Sequence, residues 1–211
     1  MPLIRKPSSA APPHLPPGEP PLAEPSTTDR VDLLTTGNAD QRWAAARAAA
    51  TNPDSVAILA SALATESDAR VREAIFTSLS RIATSESAAA VLPHLRSEDA
   101  GVRTGAIDTL KAMPGAYSRH LPSLLADPDP DVRLLSCELA RGLPSAEASR
   151  MLCALIDVER EKNVCAAAVE VLAEIGDAAA LDSLTRCAER FADDPFLAFS
   201  IKVAAGRIGV P

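Results

Sequence analysis

Aromatic side chains are scarce in this 211-residue chain, at 3%, with one Trp, one Tyr and four Phe. Sandwiches and barrels draw on aromatic strands, so the scarcity argues against them. Cysteine is also rare: Cys137, Cys153, Cys165 and Cys187 include no Cys-x-x-Cys pair. That spacing offers no metal knuckle, and with no export signal read at the amino terminus it predicts reduced thiols and a cytoplasmic protein. Met1 to Lys6 is interrupted too early by Pro2, Arg5 and Pro7 to serve as a signal peptide. No run approaches the roughly 18 uncharged apolar residues that a membrane-spanning helix needs. Cationic residues are outnumbered, 21 Lys and Arg against 28 Asp and Glu, and the net charge of -7 argues against nucleic acid as partner.

What the chain does hold is 47% hydrophobic residues, ample for a buried core, supplied mainly by Ala, Leu, Val and Ile. These residues favour helix. Residues 1 to 25 carry nine of the 18 prolines, and Pro12-Pro13-His14-Leu15-Pro16-Pro17 can form neither helix nor interior strand. Residues 1–28 are therefore expected to be an extended, mobile tail, either a spacer or a docking peptide anchored by Leu3, Ile4, Arg5 and Lys6. A folded domain is expected over 29–211.

Within that domain the sequence repeats. One position aligns as Gln41, Val71, Val102, Val132, Val164 and Leu197, at separations of 30, 31, 30, 32 and 33 residues. Three residues before each marker stands Asn38, Asp68, Asp99, Asp129, Glu161 or Asp194. All but Glu161 are residue types that cap a helix by accepting its free N–H bonds. From the marker, offsets 0, 3, 4, 7, 8 and 11 form one apolar face, as in Val71, Ala74, Ile75, Ser78, Leu79 and Ile82. Small residues at offsets 3 and 4, such as Ala74, Gly105 and Ser136, leave room for a neighbouring helix. A shorter apolar-periodic segment precedes each long helix from the second unit on: 55–64, 88–95, 120–125, 148–158 and 178–187, with Pro93 and Pro122 kinking or delaying two of them. Each unit reads as a helical hairpin too small to bury its own face, so about six of them must stack into an all-α solenoid.

The recurring acid followed by Val-Arg, as in Asp68-Ala69-Arg70-Val71-Arg72 and Asp129-Pro130-Asp131-Val132-Arg133, resembles the short HEAT-like repeats of the phycobilisome lyase type. The resemblance implies a right-handed α-α superhelix with the second helices lining its concave side. It also implies an Asp/Arg ladder between repeats, carried here by Asp68, Asp99 and Asp129 with Arg42, Arg72, Arg103 and Arg133. Cys165 and Ala198 replace the Arg in the last two units.

Catalytic sets are thin. There is no Gly-rich phosphate loop and no nucleophile elbow. His94 and His120 lack the His-Glu pairing of the iron-binding HEAT-like hydroxylases, so neither metal nor cofactor is expected. Attention falls instead on the outward face of the long helices, at offsets 2 and 5. There Trp43, Phe76, Ile107 and Leu134 are candidates for an apolar strip that a partner protein or peptide would cover, unless offset 5 packs against the next repeat. Arg47, Arg81, Lys111 and Arg141 would form its charged rim. The expected function is a non-catalytic interaction scaffold or adaptor; the alternative, implied by the resemblance, is a bilin lyase or chromophore-handling subunit. Asp108, Glu138, Glu170 and Glu174 interrupt the groove and argue against a DNA-repair role. Self-association through the open ends is left open.

Overall fold

A computed structural model describes residues 27–209, and every element among them is helical. The expected tail lies outside the described residues, except that Thr27 and Thr28 already belong to the first helix, α1 (Thr27–Thr36). The hairpins follow in order. α1 pairs with α2 (Ala39–Ala48), α3 (Val56–Thr65) with α4 (Ala69–Ile82), and α5 (Ser85–Val91) with α6 (Ala100–Lys111). The fourth unit opens with two short pieces, α7 (Pro114–Tyr117) and α8 (Leu121–Leu125), before α9 (Pro130–Ala140). Then come α10 (Ser145–Val158) with α11 (Lys162–Ile175), and α12 (Leu181–Arg190) with α13 (Pro195–Ile208).

Capping fixes the start of each long helix. Asp68 accepts from the N–H groups of Arg70 and Val71, Asp99 from Gly101 and Val102, Asp129 from Asp131, and Asp194 from Phe196 and Leu197. Glu161 makes no such bond, because its longer side chain overshoots the geometry that Asp and Asn satisfy. The first marker, Gln41, departs from the others. It is exposed and closes a capping box, its Oε1 accepting the Asn38 N–H at 2.9 Å while Asn38 accepts its own N–H at 3.0 Å. Prolines act where they were expected to: at Pro93 α5 gives way to a 3-10 turn at Leu92–Arg96, and Pro122 sits in the first turn of α8.

Long helices of successive units pack side by side, α2 on α4, α9 on α11 and α11 on α13, and the short helices form a second layer. One continuous core runs between the layers, from Leu34 through Leu59, Ile75, Leu110, Leu139, Ile156 and Leu184 to Ala204. Tyr117 is wholly buried in it and donates to the Leu139 carbonyl at 2.6 Å, satisfying an acceptor near the end of α9; burial pushes the phenol up to about 12. Ser78 ties α4 to α2 through the Ala46 carbonyl at 2.8 Å.

The ladder exists, and of its three expected acids only Asp99 serves in it. Arg42 grips Glu66 through Nε at 2.7 Å and Nη2 at 3.0 Å, and Arg133 grips Glu159 in the same way at 2.6 and 3.0 Å. Arg72 reaches Asp99 at 3.6 Å, and Arg96 pairs with Asp127. In the second and fourth units the rung acid lies two residues upstream of the cap, at Glu66 and Asp127, where its carboxylate also accepts the cap residue's N–H, whereas Asp99 and Asp194 serve as cap and rung at once. Arg103, expected in the ladder, instead binds only the carbonyls of Ser97 and Glu98 in its own unit's loop. Where Cys165 replaces the arginine, its Sγ lies 3.9 Å from the Glu159 carbonyl, and the rung to the last unit passes to Lys162 and Asp194 at 3.2 Å.

Candidate functional site

The long helices present one face to the core and another outward, and offsets 2 and 5 fall on different sides of that division. At offset 5, Ala46, Phe76, Ile107, Cys137 and Val169 are all buried. Phe76 and Ile107 are therefore not part of an exposed strip. Phe76 packs between α4 and α6 with its ring against Gly105, where an added Cβ would come within 2.7 Å of the ring, and edge-on to His94 at 6.1 Å. The reason is geometric: at 140° from the marker, offset 5 turns toward the neighbouring unit and is covered by stacking. Burial also pushes His94 below the ordinary histidine range.

Offset 2, by contrast, is where solvent meets the helix. Its six members are Trp43, Glu73, Thr104, Leu134, Ala166 and Phe199, all half-buried or exposed. Offsets -1 and 6 share the same side, so the outward face is read along those three lines.

Its amino-terminal end is built around Trp43. The indole is half-buried, with the Arg47 guanidinium 4.8 Å from the ring centroid and Arg70 at 5.5 Å; Arg70 also pairs with Asp40. Two cations over one indole make a local, charge-bearing aromatic cluster. The middle is polar: a groove of about 390 Å³ between α4 and α6 is lined by Arg72, Glu73, Thr77, Asp108 and Thr109, with the edge of Phe76 at its floor. Arg81 and Lys111 are exposed beside it. Farther along, Leu134 is half-buried and Arg141 gathers three acids, Glu138 at 3.1 Å, Glu170 at 3.8 Å and Glu174. The predicted rim residue Arg141 is thus engaged with carboxylates of the next unit.

At the carboxyl-terminal end the face becomes apolar. α13 is hydrophobic on two sides: Leu197, Ile201 and Ala204 enter the core, while Phe196, Phe199 and Val203 stand out at 72%, 65% and 38% exposure. Together with Ala166, Ala167 and Ala173 of α11 they line a groove of about 490 Å³. Small residues form its floor and large ones its wall, the shape that admits another chain's side chains. Phe196 and Val203 were missed as candidates, although they lie at offsets -1 and 6, on the same lines as Asp40 and Arg47. The signal was available in α13 itself, whose apolar residues exceed what one buried stripe requires.

Cys137, Cys165 and Cys187 are buried and Cys153 half-buried. Desolvation drives the Cys137 thiol up to about 12, so it is inert at neutral pH. Among the described residues no group of three or more His, Cys, Asp or Glu is arranged to hold a metal ion, and no helix is long and apolar enough to cross a membrane.

No curated protein matches the chain. Among solved structures, one determined in work on microtubule plus-end tracking by XMAP215, CLIP-170 and EB1 is similar at a TM-score of 0.60 and 13% identity, covering 87% of this chain and 92% of that one. The archaeal HEAT-like repeats protein from Thermococcus onnurineus NA1 is similar at 0.51 and 15% identity, covering 86% of each. The complex of CpcE and CpcF of phycocyanin lyase from Nostoc sp. PCC7120 aligns more loosely, at 0.37 and 13% identity over 92% of this chain and 100% of that one. These likenesses concern the fold. The HEAT repeat pattern itself matches residues 27–111 and 118–197, the same stretches in which capped long helices stack in register, and the chain belongs to the HEAT repeat family.

Proposed function

We propose that the protein is a non-catalytic scaffold or adaptor that holds a segment of another protein along the outward face of its long helices. The observation that carries this reading is the exposure of Phe196 and Phe199 on an alanine-floored groove. Covering each such side chain contributes roughly 1.5–3 kcal/mol, and apolar residues clustered in a concavity are the usual centre of an interface. Charge along the face supports a preferred direction for the bound segment. Arg47, Arg70 and Arg81 lie toward the amino-terminal end, while Glu138, Glu170 and Glu174 lie toward the other. A segment with aliphatic and basic residues at one end and acidic residues at the other complements both. Of the expected contact residues, Trp43, Arg47, Leu134 and Arg141 stay in this reading as direct contacts, and Arg81 and Lys111 as rim; Phe76 and Ile107 leave it.

The test is affinity capture with the wild-type chain beside Phe199→Glu and Leu134→Glu. Loss of the same bound protein in both variants, with the helical melt unchanged, supports the reading, and retention in both removes it. Incubation with a bilin separates the chromophore-handling alternative: a shifted absorption band supports that alternative, and an unchanged spectrum supports the scaffold.

A further inference from the structure

Resting on the reading of the groove between α11 and α13 as a binding surface, we infer that its occupant is a second copy of this chain. Each copy seats its own α13 in the other's groove, about a two-fold axis parallel to the long helices.

The patch is its own complement. Its wall, Phe196, Phe199 and Val203, projects from α13, and its floor, Ala166, Ala167 and Ala173, belongs to α11. These are equivalent helices of successive units lying side by side, so residues of equal offset stand at the same level. Phe199 and Ala166 share offset 2. A second α13 laid in the groove in the same direction therefore sets its Phe199 against the small side chains of Ala166 and Ala167. With helices about 8–10 Å apart, an axis over the groove places α13 of each copy between α11 and α13 of the other, and both rings meet the same floor.

Charge favours the same register. Glu138, Glu170 and Glu174 share the one guanidinium of Arg141, which leaves α11 with excess negative charge, and the Glu170 side chain is 71% exposed. Arg207 lines the same groove, is exposed, and forms no ion pair among the described residues. It stands at offset 10, level with Glu174 and one turn beyond Glu170. In the two-fold pair the Arg207 of each copy approaches these carboxylates of the other. Reversing the helix direction would carry Arg207 toward the Asn163 end and leave both acids unmet.

The end of the array discourages the other way of joining copies. At offset 5, where Phe76, Ile107, Cys137 and Val169 are buried, the last unit has an exposed Lys202. A copy stacked on as a further repeat would bury that ammonium, so an open head-to-tail filament is disfavoured and a closed pair is left. Phe196 and Phe199 are 72% and 65% exposed. At about 150–250 Å² for a buried ring, covering them in both copies removes roughly 400–700 Å², a third to over half of the roughly 1,200 Å² at which specific interfaces begin.

Sedimentation equilibrium of the full chain from about 1 µM to about 500 µM tests this, the range in which an interface at the small end of the scale is read. A reversible monomer–dimer equilibrium is expected. Phe199→Glu removes the anchor from both copies at once and should raise the dissociation constant about 100-fold or more. Arg207→Glu and Glu170→Arg, both at exposed positions, should each weaken the pair about tenfold. Mixing those two variants should restore association to near the wild-type constant, because every cross-contact then joins opposite charges. A monomer throughout the range, oligomers larger than the pair, a dimer indifferent to Phe199→Glu, or no recovery on mixing would overturn the inference. If the chain is monomeric while a captured partner is lost in Phe199→Glu, the occupant is wrong and the groove reading survives. If the dimer is lost in Phe199→Glu while capture is indifferent to both Phe199→Glu and Leu134→Glu, the pair stands and the adaptor reading falls.

Discussion

The two ends of the outward face are made from equivalent positions and have opposite character. Trp43 in α2 and Phe199 in α13 are both offset-2 residues. Trp43 has Arg47 and Arg70 over its ring, whereas Phe199 stands 65% exposed beside Phe196. Beneath them the framework is similar, with a capped start and a buried stripe at offsets 4 and 7 or 8; α2 sends an ion pair forward to the next unit, and the cap of α13 receives one from α11. The lesson is that between the end units stacking constrains offsets 0, 4, 5, 7 and 8, while offsets -1, 2 and 6 are free throughout to be polar in one unit and apolar in another. Binding specificity can be written on those free lines without altering the core.

If the framework is equivalent in both halves, its corresponding rungs should matter equally. Glu66→Ala and Glu159→Ala each strip two hydrogen bonds from an arginine and bare a half-buried charge. Each should destabilise the protein by about 2–4 kcal/mol in chemical denaturation; a large inequality would break the equivalence. On the faces, difference is expected instead. Phe199→Glu should weaken partner binding by roughly 30-fold or more, while Trp43→Ala, removing a ring already covered by two guanidiniums, should weaken it only several-fold. Titration calorimetry with the captured partner measures both, and a reversed order would relocate the anchor to the amino-terminal end. Smaller effects come from the caps. Asp68→Ala and Asp99→Ala should each cost about 1 kcal/mol in thermal melts, and Glu161→Ala almost nothing, since Glu161 caps no N–H.

The smallest effect is that of mild acid. The Arg42 hydrogen bonds hold the Glu66 carboxyl below its ordinary value; at Glu159 burial opposes, but Arg133 and the N–H donors of Glu161 and Arg160 outweigh it. The folded state thus binds fewer protons than the unfolded chain as pH drops past the unfolded carboxylate range near about 4.3. Their contribution is complete above that range and is lost as pH falls through the lower folded values. Denaturation midpoints should fall in that window for the wild type and less steeply for Glu66→Gln with Glu159→Gln.

Much of the fold was legible because the repeat is written in residue types with a single local use. Asp99 announces a helix start by its own chemistry, and Val71, Ile75 and Leu79 announce a buried face by their spacing. The ladder was legible in part: Arg42, Arg72, Arg133 and Asp99 take the expected places, while Arg103 turns to its own loop and Glu66 and Asp127 stand in for Asp68 and Asp129, a choice between neighbouring carboxylates that depends on the path of the loop. The face was half legible. Phe76 and Phe199 are the same residue type on equivalent helices at offsets 5 and 2, and which of those two offsets is covered depends on the angle at which one unit meets the next, a property of stacking that no single helix encodes. Gly105 was read correctly as room for a neighbour, yet the neighbour turned out to be the Phe76 ring.

The ladder's ion pairs also have a direction. Arg42, Arg72, Arg96, Arg133 and Lys162 each reach an acid of the following unit. Every hairpin from the second to the fifth consequently carries a plug on one side and a socket on the other. Duplicating a whole module of some 30 residues would insert matched connectors at both seams, whereas cutting within a module would strand a guanidinium without its carboxylate. An architecture wired in this way can grow by copying far more easily than it can be trimmed.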